Sequence, residues 1–248
     1  PYVKYNRAYC VERGPRPSSI DTFLYGIAVQ EGVGFEFGRR ADFPSLGPGI
    51  IVATGLDAAG YGAFGVPCRL VYGAWSMREI EDRGATGSIY MGPFSTDYGY
   101  TAQAHGLDYN LLFSRRPVTD SDISAYRATL KKIGIADYPD PWQPVTMAVP
   151  AAVRLFAGDV ILAGTLSGMI EPFWGYGIVG AIISGRLAAR AVTDRNAAEM
   201  EFEQFNRGFD KKFLRRETFS SYPSPVRSLL TRGGLAWARL QCRLDRKI

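Results

Sequence analysis

The chain has 248 residues, of which 46% are hydrophobic and 21% charged, so it can bury a sizeable core and is neither disordered, collagenous nor a small disulfide-stapled scaffold. Its net charge of +5 is concentrated late: residues 201–248 hold 11 Lys and Arg against 5 Asp and Glu, while the body is nearly neutral. Sparse interleaving of aromatic and basic residues then argues against nucleic-acid binding.

In chain order, "AYCVER" (8–13) predicts a short strand. After the turn "GPRP", the stretch "SSIDTFLYGIAVQEG" predicts a helix, with Ser18 or Ser19 as N-cap and Ile20, Phe23, Leu24, Ile27 and Ala28 on one inward stripe. "GVGFEFG" (32–38) alternates as a strand, and "GIIVATG" (49–55) has the continuous apolar character of a strand buried on both faces. Strand–helix–strand order implies one parallel unit.

From 67 to about 116, the segments "PCRLVYGAW", "GSIYMGPF", "YGYTAQAHG" and "YNLLFSR" predict a partly exposed antiparallel sheet. Residues 119–134 predict an amphipathic helix, with Thr119 as cap and Ile123, Tyr126, Leu130 and Ile133 inward. "WQPVTMAVP" and "RLFAGDVILAG" predict two more strands. Helices are expected over 176–193, 196–216 and 224–246.

Cys10, Cys68 and Cys242 lie far apart, without CxxC spacing or a histidine partner, so reduced thiols are expected and no metal site. The longest apolar region, 160–185, is interrupted by Glu171 and Pro172. A spanning helix needs about 20 uninterrupted apolar residues, so no transmembrane segment is expected.

Gly175, Gly177 and Gly180 spell GxGxxG. In a dinucleotide-binding turn the first glycine follows directly on a strand, and an acidic residue ends the next strand about 20 positions later. Here the preceding strand "DVILAG" ends at Gly164, and only helices follow Gly180. The register is therefore wrong for a Rossmann phosphate turn. A strand ending at "AG", a loop through "TLSGMIEPFW" and a helix opening at "GYG" instead set bare backbone amides and a positive helix end before a planar ligand.

At this point "LAGTLSGMIEPFWGYGIVGAIISGRLAA" resembles the second flavin-contacting segment of the geranylgeranyl-reductase-like FAD-dependent oxidoreductases, within the wider class of aromatic hydroxylases and lycopene cyclases. Upstream, "VERGPRPSSIDTFLYGIAVQEGVGFEFG" and "IIVATG" are similar to that family's arginine, helix, strand and adenine-side strand, so the resemblance covers roughly residues 9 to 215. It implies FAD as cofactor. Gly164 and Thr165 stand where the family places Gly-Asp against the ribityl chain and pyrophosphate, and Thr165 is a departure because it lacks the acid. Pro172 would set the loop, and Gly175, Tyr176 and Gly177 would offer N–H groups to the pyrimidine edge of the ring. Thr54 and Gly55 would lie near the nucleotide. Arg13 or Arg16 would reach the pyrophosphate or stay solvated.

Phe173 and Trp174 would wall an apolar substrate pocket or pack as core, and Tyr98 and Tyr100 would line the same cavity. His105, the single histidine, is a proton-donor candidate or a surface-turn residue. The family's N-terminal ADP-binding βαβ with its own GxGxxG has no room before Arg13. The expectation is thus a chain lacking that half, which lies in a longer chain or a second subunit, with weak or no FAD binding and poor solubility on its own.

The implied fold class is mixed α/β: an incomplete FAD-binding Rossmann-like domain (1–66 and 146–195), an inserted antiparallel substrate sheet with a helix (67–145) and a C-terminal helical segment (196–248). The implied activity is hydride transfer from reduced flavin to a C=C bond of an apolar, isoprenoid-like substrate, fed by an electron donor such as NAD(P)H or ferredoxin. A flavin monooxygenase and a non-catalytic lipid-binding or interaction protein are the alternatives. The expected location is cytoplasmic. The basic tail "RSLLTRGGLAWARLQCRLDRK" would either touch membrane through Leu, Trp and Arg or form a solvated helical cap.

Overall fold

The computed structural model describes residues 11–82, 84–135 and 137–244, with side chains described as far as Trp237. The chain forms two compact units, one from residues 1–39, 72–145 and 222–248, the other from 40–71 and 146–221. Both mix helix and sheet, so the fold is mixed α/β.

The first unit opens with α1 (Ile20–Gln30), whose N-cap Ser19 accepts a hydrogen bond from the Thr22 amide. The expected inward stripe is not inward. No residue of α1 is buried, and Phe23 is 64% exposed, because none of the described elements covers that face. Residues 8–10 of the expected first strand lie outside the described residues, and 11–13 form no strand. Residues 33–37 form none either, since no strand among the described residues runs beside them, and the Val33 amide instead donates to the Ala28 carbonyl of α1. Phe35 and Phe37 instead gather around Tyr25, with Tyr25 and Phe35 centroids 4.6 Å apart. The expected strand–helix–strand unit is therefore absent among the described residues.

The antiparallel sheet is built from β2 (Cys68–Glu79), β3 (Thr86–Tyr90), β4 (Gly99–Ala104), β5 (Leu107–Ser114) and β6 (Gln143–Pro150), in the order β3-β4-β5-β2-β6. Register sets Gly99, Leu112 and Ala74 side by side on one face, and Tyr100, Leu111 and Trp75 on the other. Helix α3 (Asp120–Lys132) covers the first face through Tyr126 and Leu130, which join Ala74, Phe94, Leu112, Tyr138 and Trp142 in one core. Thr119 and Asp122 cap α3 reciprocally. Ile133, expected inward, is the C-cap and is 56% exposed, because the helix ends one residue earlier. On the same face the Tyr138 hydroxyl and the Arg78 guanidinium both donate to the buried Asp108 carboxylate.

The second unit contains a three-stranded sheet, β1 (Ile51–Val52), β8 (Val160–Leu162) and β7 (Phe156–Ala157) in that order. β1 and β8 are parallel, Ile51 opposite Ile161 and Val52 opposite Leu162. The expected single strand over "RLFAGDVILAG" is a hairpin, turned at Gly158 with φ +61°. Ile51 is 41% exposed, so β1 is buried on one face rather than two. The core on that side contains Ile161 with Leu187 and Ala188 of α4 (Ile178–Thr193), and it leaves Ile51 uncovered. On the opposite side Val52, Leu162, Leu166 and Tyr61 form a second core. The expected helix 196–216 is two helices, α5 (Arg195–Phe205) and α6 (Phe209–Ser221), broken at Gly208 with φ +88°. α7 spans Ser224–Leu244.

Gly99 tests the α3 packing. A Cβ there would stand 2.3 Å from the ring of the fully buried Tyr126. Gly99→Ala is expected to cost about 2–3 kcal/mol in urea unfolding, and Tyr126→Leu in the same chain to recover part of it.

Candidate functional site

The carboxyl ends of parallel strands are where open α/β sheets bind ligands. Past β8 the chain enters a tight turn, Gly164–Ser167, and past β1 it runs through Thr54 and Gly55 into α2 (Ala58–Ala63). These two exits meet. A Cβ on Gly55 would lie 3.8 Å from the Thr165 hydroxyl oxygen, and a Cβ on Gly177 would lie 3.2 Å from the Thr165 methyl. Gly55, Thr165 and Gly177, from separate stretches of sequence, thus come together, with the Thr165 side chain packed against both glycines. Thr54 turns toward Gly60 of α2, where any Cβ would be 2.5 Å from its hydroxyl oxygen.

The turn is fixed by three groups that sequence reasoning missed. The Gly164 amide donates to the Ser184 hydroxyl at 2.7 Å, and that hydroxyl donates to the Ala181 carbonyl of α4. The Tyr61 hydroxyl donates to the Thr165 carbonyl at 2.9 Å. Burial pushes the Tyr61 hydroxyl up to about 12. Glu171 organises the loop ahead of the helix: its carboxylate accepts from the Phe173 and Trp174 amides, and its carbonyl from the Gly175 amide. The only signal for Glu171 was an acid directly before Pro and two aromatics. Ser184 and Tyr61 left none, because their partners lie 20 and 104 residues away.

The Gly175 amide is thereby committed within the loop, and its φ of +80° suits glycine. Gly177 is the N-cap residue of α4 and has no side-chain cap, so the first turn of the helix ends in bare backbone. Gly180 brings α4 against the loop: a Cβ there would fall 1.8 Å from the Met169 carbonyl oxygen. Tyr176 and Val179 are exposed beside this helix start.

The remaining predicted residues take other surroundings. Pro172 is half-buried in the Glu171 loop. Phe173 packs on Trp174 at 4.9 Å and on Phe219 of α6 at 5.9 Å, with the Arg216 guanidinium over its ring. Tyr98 and Tyr100 belong to the first unit; Tyr98 is buried against Phe113, and Tyr100 is half-buried on the sheet face away from α3. His105, also of the first unit, is exposed at the tip of the β4–β5 hairpin with φ +52°, and its carbonyl accepts from Arg16. Arg13 pairs with Asp21 at 2.7 Å and Arg16 with Glu12 at 3.1 Å, so both tie down the start of α1. Cys68 is a free, exposed thiol, Cys10 lies outside the described residues, and no group of three or more His, Cys, Asp or Glu that could hold a metal occurs among the described residues.

Two consequences follow for α4 and Tyr61. Gly180→Ala is expected to cost at least about 3 kcal/mol in denaturant unfolding. Gly185→Ala on the same helix, where a Cβ meets nothing within 4 Å, is expected to gain about 0.5–1 kcal/mol. Tyr61 has a folded-state pKa above its unfolded value, so its share of stability is intact below about pH 10 and lost as pH rises toward 12. Burial also raises Tyr126 and Tyr138. Tyrosinate absorbance from these residues should appear together with unfolding above pH 10, and not as an independent titration at 10.

The fold has solved counterparts. A flavin-dependent brominase matches with a TM-score of 0.52 at 13% identity, over 87% of this chain and 66% of that one. A triple mutant of the brominase gives 0.52 at 13% identity, over 78% and 62%. A geranylgeranyl bacteriochlorophyll reductase-like protein from Thermoplasma acidophilum gives 0.46 at 12% identity, over 65% and 46%. The chain spans less than two-thirds of the length of each of these structures. No protein-family model and no curated protein matches it. Over 87% of its length this chain shares its fold with the flavin-dependent brominase.

Proposed function

We propose that the chain forms the flavin-ring end of an FAD-dependent oxidoreductase. The observation that carries this reading is the meeting of Gly55, Thr165 and Gly177 at the carboxyl ends of β1 and β8, before a helix start without a side-chain cap. The residues fit the group. Glycines at 55 and 177 let both backbones close on the Thr165 side chain, and the positive end of α4 favours negative charge at N1 and O2 of a ring placed before it. When bound, the flavin supplies hydride transfer.

The chain's own residues hold and orient. Gly177, at the start of α4, offers its amide to the pyrimidine edge, while Gly164 and Gly175 spend theirs on Ser184 and Glu171 and so shape the seat. Tyr176 and Pro172 border it. Thr165 replaces the family's acid; its hydroxyl donates to a ribityl oxygen or phosphate and adds no negative charge beside the pyrophosphate. Thr54 lies toward the nucleotide. Phe173 and Trp174 wall the apolar side of the seat. The proposed substrate is an apolar, isoprenoid-like molecule whose C=C bond receives hydride at one carbon and a proton from water at the other. NAD(P)H or ferredoxin returns the electrons.

A second reading is oxygen-dependent oxidation by a flavin monooxygenase at the same seat. Anaerobic turnover of an alkene with reduced flavin separates the two, since only the reductase runs without oxygen.

The seat itself is tested by competition binding. Riboflavin, FMN and FAD should bind the chain with affinities within about tenfold of one another, because the ring makes the contacts, and ADP should not compete. Gly177→Val should weaken all three at least tenfold with unchanged circular dichroism. Displacement by ADP, or no flavin binding at all, would overturn the proposal and favour a non-catalytic role.

A further inference from the structure

We propose that α7 is a peripheral membrane helix that lies flat on an anionic phospholipid surface. Its 21-residue sequence contains four arginines and no acidic residue. Val226, Leu229, Leu230 and Trp237 fall within an arc of roughly 100° at 100° per residue. All four are exposed, Leu229 by 71% and Trp237 by 63%. Gly233 falls in the same arc, and a Cβ there meets nothing within 4 Å. One stripe of a long helix is therefore apolar and open along its described length.

The helix is held by a different side. The Arg227 guanidinium donates to the carbonyls of Thr96 and Ser95 at 2.7 and 3.1 Å, and the Thr231 hydroxyl lies 3.3 Å from the Met91 sulfur. These residues lie about 80–120° around the helix from Trp237, so the apolar stripe points away from the anchors. No helix among the described residues is long and apolar enough to cross a membrane. An amphipathic helix with aromatic and leucine residues on one side, and arginines but no acidic residue in its sequence, lies in the headgroup plane rather than spanning.

Charge decides the occupant. A second copy of the helix would bring arginine against arginine, which repels, whereas phosphate headgroups supply the missing negative charge. Each basic residue near such a surface strengthens binding about fivefold.

The test is vesicle flotation of the full 248-residue chain. Vesicles of phosphatidylcholine with about one-third phosphatidylglycerol should carry the protein, pure phosphatidylcholine should carry little, and 0.5 M salt should weaken binding, roughly as expected when the Debye length shrinks below 10 Å. Leu229→Gln with Leu230→Gln and Trp237→Gln should lower partitioning at least tenfold, and Arg232→Gln about fivefold. Because these side chains are exposed, circular dichroism should not change. Failure to float with anionic vesicles, flotation unaffected by the triple variant, or a dimer in light scattering that the triple variant dissolves would each overturn the proposal.

Discussion

Position 180 has no side chain, and the arrangement of the second unit depends on that. Any Cβ there would overlap the Met169 carbonyl, so glycine alone lets α4 lie against the 168–170 turn. That contact puts the first turn of α4 beside Thr165 and the exits of β1 and β8. It also brings Ser184 to the Gly164 amide, whose donor would otherwise be stranded at the end of the strand. Tyr61 then fixes the Thr165 carbonyl from the other side of the sheet's core. The seat is thus a by-product of close backbone packing, with Glu171 absorbing the amides that the incoming loop would leave unpaired.

The same device appears in the first unit. Gly99 clears a place for the Tyr126 ring, so α3 settles directly on the sheet, and its capping box fixes where the helix begins. The opposite sheet face, with Tyr100, Leu111, Trp75 and Tyr109, stays half-buried.

Much of this was legible in the sequence, for definable reasons. The four strands over 68–114 carry their own punctuation in Gly, Pro and Asp, and the helices over 120–132 and 178–193 carry a cap or a sharp run of small residues. The distance from Gly164 to Gly175 was enough to reject a Rossmann turn, because register is a sequence property. Burial is not. The stripe Phe23, Leu24 and Ile27 has perfect helical spacing, yet it is exposed, since periodicity names a face without supplying a partner for it. Likewise the alternation over 33–37 cannot make a strand without a neighbour. At the site, the glycines and Thr165 were legible from order along the chain. Ser184, Tyr61 and Glu171 were not, because each serves a backbone group that only folding brings within reach.

The central claim is that Gly55, Thr165 and Gly177 together form the seat of a flavin ring. The most direct measurement is a titration of the isotopically labelled chain with riboflavin, followed through its backbone amide resonances. The account predicts saturable shifts at Gly55, Thr165, Gly177 and Ile178, with Gly185 and Gly208 unmoved. Shifts confined to other residues, with these four unaffected at saturation, would contradict it.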